Sequence, residues 1–335
     1  MLHRSDHTLL DRIGLGNDGL KSLIIRTLAA LFLSAFLAWG LSSPASADPR
    51  SDTGNWNVPV KTFGGTQLWS DSYLHAGWRI QRNVITGHSR LLDPENTRRA
   101  WGTYDHCKRV FDDLQRRGRI TPSSRHLVLL IHGIAPKPGT FSAMKAALDR
   151  AGYDAIPISY PSTREAIEAH AAGLEKVLNR VEGTTKVSFV THSMGGLVVR
   201  HLLHRNGAWK KHIEIGRIVQ IAPPHLGSEV AEWAADLKPY QWILGNAGQQ
   251  LTPGNAARIP LLKHSFAIIA GGKNDGEGFN PLLPGDDDGV VRVAETKLPG
   301  TQHFLLVKAT HTALVSQPKT IQATIHFLKR GTLAN

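Results

Sequence analysis

The chain has 335 residues, 41% of them hydrophobic and 20% charged, a balance that excludes wholesale disorder and provides for a substantial core. Its formal net charge is +12, but no nucleic-acid-binding motif accompanies the cations, so nucleic acid is not the expected partner. A single cysteine, Cys107, excludes an intramolecular disulfide and reads as a small buried residue rather than a nucleophile.

Residues 1–47 have the parts of a secretory signal. Lys21 and Arg26 flank an apolar run from Thr27 to Leu41, and the small residues Ala45-Ser46-Ala47 follow. The run is shorter than the ~20 residues of a spanning helix. Cleavage is expected before Asp48, with export to the periplasm or beyond; an uncleaved N-terminal anchor, to which the unusually long lead of 26 residues gives some weight, is the alternative. No Arg-Arg pair precedes the run, which fits the general secretion route.

Residues 48–124 form an N-terminal extension. Short alternating stretches between 66 and 92 predict one or two antiparallel strands, and the spacing from Asn96 to Arg117 predicts a helix. Cations are densest from Arg79 to Arg125, either a solvated face or a surface that adheres to an anionic membrane or envelope polymer.

From 125 to 331 the pattern is that of one α/β domain. Continuous apolar runs at 126–131, 155–160, 186–190, 218–221, 266–270 and 304–307 read as strands buried on both faces. Helical segments at 141–151, 162–181 and 318–329 lie between and after them, predicting a doubly wound, mostly parallel sheet with helices on both faces. The stretch 229–262, with Trp233, Tyr240 and Trp242, lies between strands where a lid commonly inserts; core helix is the alternative.

Ser193 stands between strand 186–190 and a helix opened by Gly195-Gly196, the strand-turn-helix setting of a nucleophile elbow. Small residues are needed two positions either side, where strand and helix approach. Gly195 meets this, while Thr191 replaces the usual glycine. His192 is adjacent in sequence and therefore structural rather than the base. Two backbone N–H groups are needed to hold an oxyanion: that of Met194, at a helix N-terminus, and that of Ile134, after His132-Gly133 at the end of strand 126–131. The base belongs on a loop after a late strand, which selects His311 over His303, His264 and His326. For the acid, Asp288 of the run Asp286-Asp287-Asp288-Gly289 is the first choice and Asp275 the reserve. The same run would also suit a calcium ion, which is not the preferred reading; no metal or other cofactor is expected.

These pieces resemble bacterial triacylglycerol lipases and related α/β-hydrolases: His132-Gly133-Ile134, Thr191-His192-Ser193-Met194-Gly195-Gly196, Asp288-Gly289-Val290-Val291 and His311. Ala222-Pro223-Pro224-His225-Leu226-Gly227-Ser228 is also similar to esterases related to glycosylphosphatidylinositol inositol-deacylases. The resemblance covers 125–331 and implies a Ser193-Asp288-His311 triad that cleaves carboxylic esters, lipid esters first, through an acyl-enzyme. An acyltransferase, a polyester depolymerase and a non-catalytic envelope-binding module on the same scaffold are the alternatives.

Overall fold

The computed structural model describes residues 60–61, 67–235, 248 and 250–333. Residues 1–47, expected to be a signal segment, and residues 236–247 of the stretch expected to hold a lid lie outside the described residues.

Two sheets make up this part of the chain. The first is antiparallel, with strands β1 (Val60–Lys61), β2 (Trp69–His75), β3 (Trp78–Asn83), β4 (Ser89–Leu92) and β5 (Thr97–Gly102) in the order β1-β5-β4-β3-β2. Its register aligns Tyr73, Ile80, Leu91 and Ala100 in one row. Period-two alternation puts that row on one face, where it buries Cys107 and Phe111 of helix α1 (Tyr104–Arg116). Burial pushes the Cys107 thiol up to about 12, which makes it a packing residue.

The sheet corrects two expectations. Strands 66–92 number three rather than one or two, and the helix expected from Asn96 starts at Tyr104, after β5. Asp93 explains the difference: its carbonyl accepts from the Asn96 N–H at 2.9 Å and its carboxylate from the Thr97 N–H at 2.7 Å. This closes a turn with Asn96 at φ 61°, a conformation asparagine tolerates, and launches a strand instead of a helix. Thr103 then caps α1 through the His106 N–H.

The second sheet is all parallel: β6 (His126–Ile131), β7 (Asp154–Ile158), β8 (Lys186–His192), β9 (Glu214–Ile221), β10 (Phe266–Gly272) and β11 (His303–Lys308), in the order β11-β10-β9-β8-β6-β7. Helices α2 (Ser142–Arg150), α3 (Ile167–Leu178) and α4 (Gly195–His204) connect its first strands. The short helices α5 (Glu229–Ala235), α6 (Pro253–Ala256) and α7 (Val293–Thr296) follow, and α8 (Pro318–Arg330) closes the chain. Val128, Leu130, Val190, Val219 and Ile269 meet Met144 and Leu148 of α2 and Phe327 of α8 in one core layer. Helices α3 and α4 pack together against the other face.

From β6 the chain runs outward to β7, then returns past β6 to β8. The strand order thus reverses between β6 and β8, and the carboxyl ends of strands at such a reversal form a crevice. Met194 and Ile134 follow β8 and β6, the two strands that flank it.

The antiparallel sheet is hydrogen-bonded to the parallel one. Asp71 N–H donates to the Ser159 carbonyl at 2.9 Å, Ser159 N–H donates to the Asp71 carboxylate at 2.7 Å, and Arg79 reaches the Pro157 carbonyl at 3.1 Å. Burial raises the Asp71 carboxyl pKa, and Arg79 at 3.5 Å opposes the shift.

Candidate active site

Ser193 follows β8 directly and has φ 52°, a left-handed conformation that costs a non-glycine residue about 1–3 kcal/mol. The turn is held by Ser193 N–H to the Ile221 carbonyl and by Gly196 N–H to the Ser193 carbonyl, each 2.9 Å. Two glycines make room for it. A Cβ on Gly133 would lie 2.7 Å from the Ser193 Cβ, and one on Gly195 would lie 2.7 Å from the His132 carbonyl oxygen. Gly195→Ala therefore forces the elbow off the end of β6. We expect a loss of about 3 kcal/mol or more, read as a lower urea midpoint at unchanged slope. The departure at Thr191 is accommodated because that residue is still within β8, paired with Ile131 on one side and Gln220 on the other, with its side chain buried.

Met194 is buried at the head of α4, and Ile134 follows the end of β6. Neither N–H has an acceptor among the described residues. His132 stacks flat on Tyr160, ring centroids 4.1 Å apart, and the Tyr160 hydroxyl donates to the His132 carbonyl.

The three adjacent aspartates divide into three roles. Asp286 accepts from the Lys273 and Asn274 N–H groups at 2.7 and 2.8 Å, turning the chain after β10. Asp287 accepts from Asn280 and Gly289 at 2.9 and 2.6 Å. Asp288, 1% exposed, accepts from Val290 and Val291 at 3.0 and 2.8 Å through Oδ1, while Oδ2 lies 2.7 Å from His311 Nδ1. His311 N–H also donates to the Asp288 carbonyl at 2.8 Å, so the pair is fixed by backbone as well as side chain. Gly271 admits this arrangement: a Cβ there would meet the Asp288 Cβ and the Ala309 carbonyl, each at 2.8 Å. The reserve, Asp275, is spent on its own loop, accepting from Glu277 and Gly278. Among the described residues no three His, Cys, Asp or Glu side chains converge as a metal site.

His303 is at the opposite end of β11, its ring against Phe327, and His326 lies in α8 bonded to the Thr332 carbonyl. His192 has a larger part than its sequence position implied. Its Nε2–H donates to the His311 carbonyl at 3.1 Å and the two rings lie 4.7 Å apart, so it links the elbow to the His311 loop. Burial, then the neighbouring His311, lowers its pKa to about 3 and keeps it neutral. No local pattern signals this.

Three further histidines are held neutral by burial: His132 and His170, each lowered to about 4, and His225, well below its usual value. A folded-state pKa below the unfolded ~6.5 means that the unfolded chain takes up protons first as pH falls. The stability these groups contribute is whole above pH 6.5 and declines as pH drops toward 4. Each group contributes a slope of about 1.4 kcal/mol per unit in that window. We therefore expect the melting temperature to be level from pH 7 to 8 and to fall steeply between pH 6.5 and 4.5.

Arg200 of α4 is 1% exposed and bonds the carbonyls of His225, Ile259 and Pro260, gripping both ends of the stretch that holds α5 and α6. Arg200→Met strands the buried carbonyls of His225 and Ile259. It should cost about 3 kcal/mol or more in denaturant unfolding. Five cations of segment 79–125 lie against carboxylates: Arg79 on Asp71, Arg99 on Asp93, Lys108 on Asp112, and Arg116 and Arg117 on Asp113.

A six-stranded parallel sheet with a strained serine turn after β8 and an Asp-His pair on the loops after β10 and β11 is an α/β-hydrolase fold. The chain belongs to the family described as a domain of unknown function, DUF7379, which matches residues 95–267, just over half of its length. That stretch includes Ile134, Ser193 and Met194 and stops before Asp288 and His311. No curated protein matches the chain. Among solved structures it is similar to lipase BlEst2 of Bacillus licheniformis. With the propeptide form the TM-score is 0.52 at 23% identity, over 62% of this chain and 51% of that one. With the mature form it is 0.49 at 23% identity, over 62% and 92%. The metagenomic carboxyl esterase MGS0156 gives 0.45 at 17% identity, over 64% and 78%. The chain thus spans about half the length of BlEst2 in its propeptide form, and the likeness is one of fold.

Proposed function

We propose that the chain is a serine ester hydrolase of lipase or esterase type, exported by its N-terminal segment. Ser193 is the nucleophile, His311 the general base and then acid, Asp288 the orienting carboxylate, and the Ile134 and Met194 N–H groups the oxyanion donors. The observation that carries this reading is the 2.7 Å Asp288–His311 bond, backed by the His311 N–H to Asp288 carbonyl bond and joined through His192, the residue before Ser193, to a serine at φ 52°. A carboxylate on Nδ1 leaves Nε2 as the proton acceptor and stabilises the imidazolium that forms when Ser193 attacks the ester carbonyl. The tetrahedral oxyanion collapses with expulsion of the alcohol, which His311 protonates. Water, deprotonated by His311, then hydrolyses the acyl-Ser193 ester.

Lipid esters are the proposed substrate class, supported by the apolar residues Trp233, Tyr240 and Trp242 in the stretch between β9 and β10. Hydrolysis of 4-nitrophenyl esters from acetate to palmitate, with and without an emulsion interface, tests it. Highest kcat/KM on long chains is expected, and a sharp preference for soluble acetate would exclude a lipase.

A further inference from the structure

We infer that Gln67, in the N-terminal extension, is a positioning residue for the oxyanion loop and acts through Ser162; this rests on the hydrolase reading above. The extension supplies none of the groups assigned to catalysis, yet it is bonded to the segment that supports one of them. Gln67 Nε2 donates to Ser162 Oγ at 2.9 Å, and Gln67 Oε1 accepts from the Thr163 N–H at 3.1 Å and the Thr163 hydroxyl at 3.0 Å. Ser162 Oγ in turn accepts from the Ala135 N–H at 3.1 Å. Ser162 is fully buried, so water does not compete for its hydroxyl.

Ala135 needs such a hold. It has φ 44°, a left-handed conformation without the freedom of glycine, and it directly follows Ile134. Fixing the Ala135 N–H fixes the plane of the Ile134–Ala135 peptide. Only the Ile134 φ and ψ then remain between that plane and the Gly133–Ile134 peptide, whose N–H is the proposed donor. The other end of the loop is held by the same segment, through Tyr160 on His132. Segment 159–163 is itself clamped to the extension at both ends, by Asp71 at Ser159 and by Gln67 at Ser162 and Thr163. A donor must stand within a few tenths of an ångström of the developing oxyanion, and small misplacements there are felt in the transition state rather than in substrate binding.

Gln67→Ala and Ser162→Ala in the full chain test this. Each is compared with wild type for kcat and KM on a 4-nitrophenyl ester, for affinity toward a trifluoromethyl ketone whose hemiketal carries the oxyanion, and for melting temperature. The expected result is a roughly tenfold lower kcat and a roughly tenfold weaker ketone affinity, with KM within about twofold and folding retained. A merely structural role would lower the melting temperature and leave kcat and ketone affinity of the folded protein unchanged, which would overturn the inference. Should Gln67→Ala not fold, Ser162→Ala, which deletes a single oxygen, decides by the same criteria. Fluorophosphonate labelling of the wild type separates the two levels. An unlabelled Ser193 brings down the hydrolase reading and this inference with it; a labelled Ser193 with unaltered variants overturns this inference alone.

Discussion

Ser193→Ala should lower kcat for ester hydrolysis by about 10⁶-fold and abolish fluorophosphonate labelling, while the melting temperature stays at or above that of wild type. The size follows from covalent catalysis: without Oγ there is no acyl-enzyme, and only water attack assisted by the oxyanion donors remains. Stability should not suffer, because Ser193 Oγ makes no hydrogen bond among the described residues, while the backbone bonds that define its turn involve its N–H and carbonyl, which alanine keeps. Intact-protein mass spectrometry after labelling reads the first part, and thermal unfolding the second. A variant that retained a tenth of wild-type activity would require a different nucleophile.

Asp288→Asn should lower kcat by about 10⁴-fold with little change in KM. The carboxylate Oδ2 accepts the His311 Nδ1 proton at 2.7 Å; an amide offers either a weaker oxygen or an N–H that favours the wrong tautomer. Neither stabilises the imidazolium. Two neighbours make the prediction discriminating. Asp275→Asn should leave kcat within about twofold, since that side chain is bonded only within its own loop. Asp287→Asn should also retain activity, and at pH 7 it should not be less stable than wild type. Burial raises the Asp287 pKa, Oδ2 is buried without a partner among the described residues, and an amide oxygen can still accept from Asn280 and Gly289. Activity loss in Asp275→Asn rather than Asp288→Asn would reverse the acid assignment.

The amino-acid sequence carried the parallel sheet because strands buried on both faces must be continuously apolar, and runs such as Leu127–Ile131 admit little else. It carried the candidate site for a related reason. A nucleophile elbow needs a strand, a tight turn and a helix in immediate succession, and Ser193 with Gly195 has all three within ten residues of sequence. The antiparallel sheet was harder to read. Its strands are short and polar on one face, and β5 alternates weakly before a helix, so a helical period ran across both.

Locally encoded features, then, were legible without the fold: the order of the parallel β-strands and their helices, and the strand-turn-helix setting of the strained serine. What the sequence left open was which partner each side chain meets. Of three consecutive aspartates the sequence put Asp288 first, but only the meeting of the β10 and β11 loops gives it to His311 and its neighbours to backbone N–H groups. The same holds for His192 against His311, and for Gln67 reaching Ser162 across the boundary between the two sheets. Such contacts join residues 23, 119 and 95 positions apart. No periodicity or spacing encodes them, because they are set by sheet register and packing and exist only once the chain has folded.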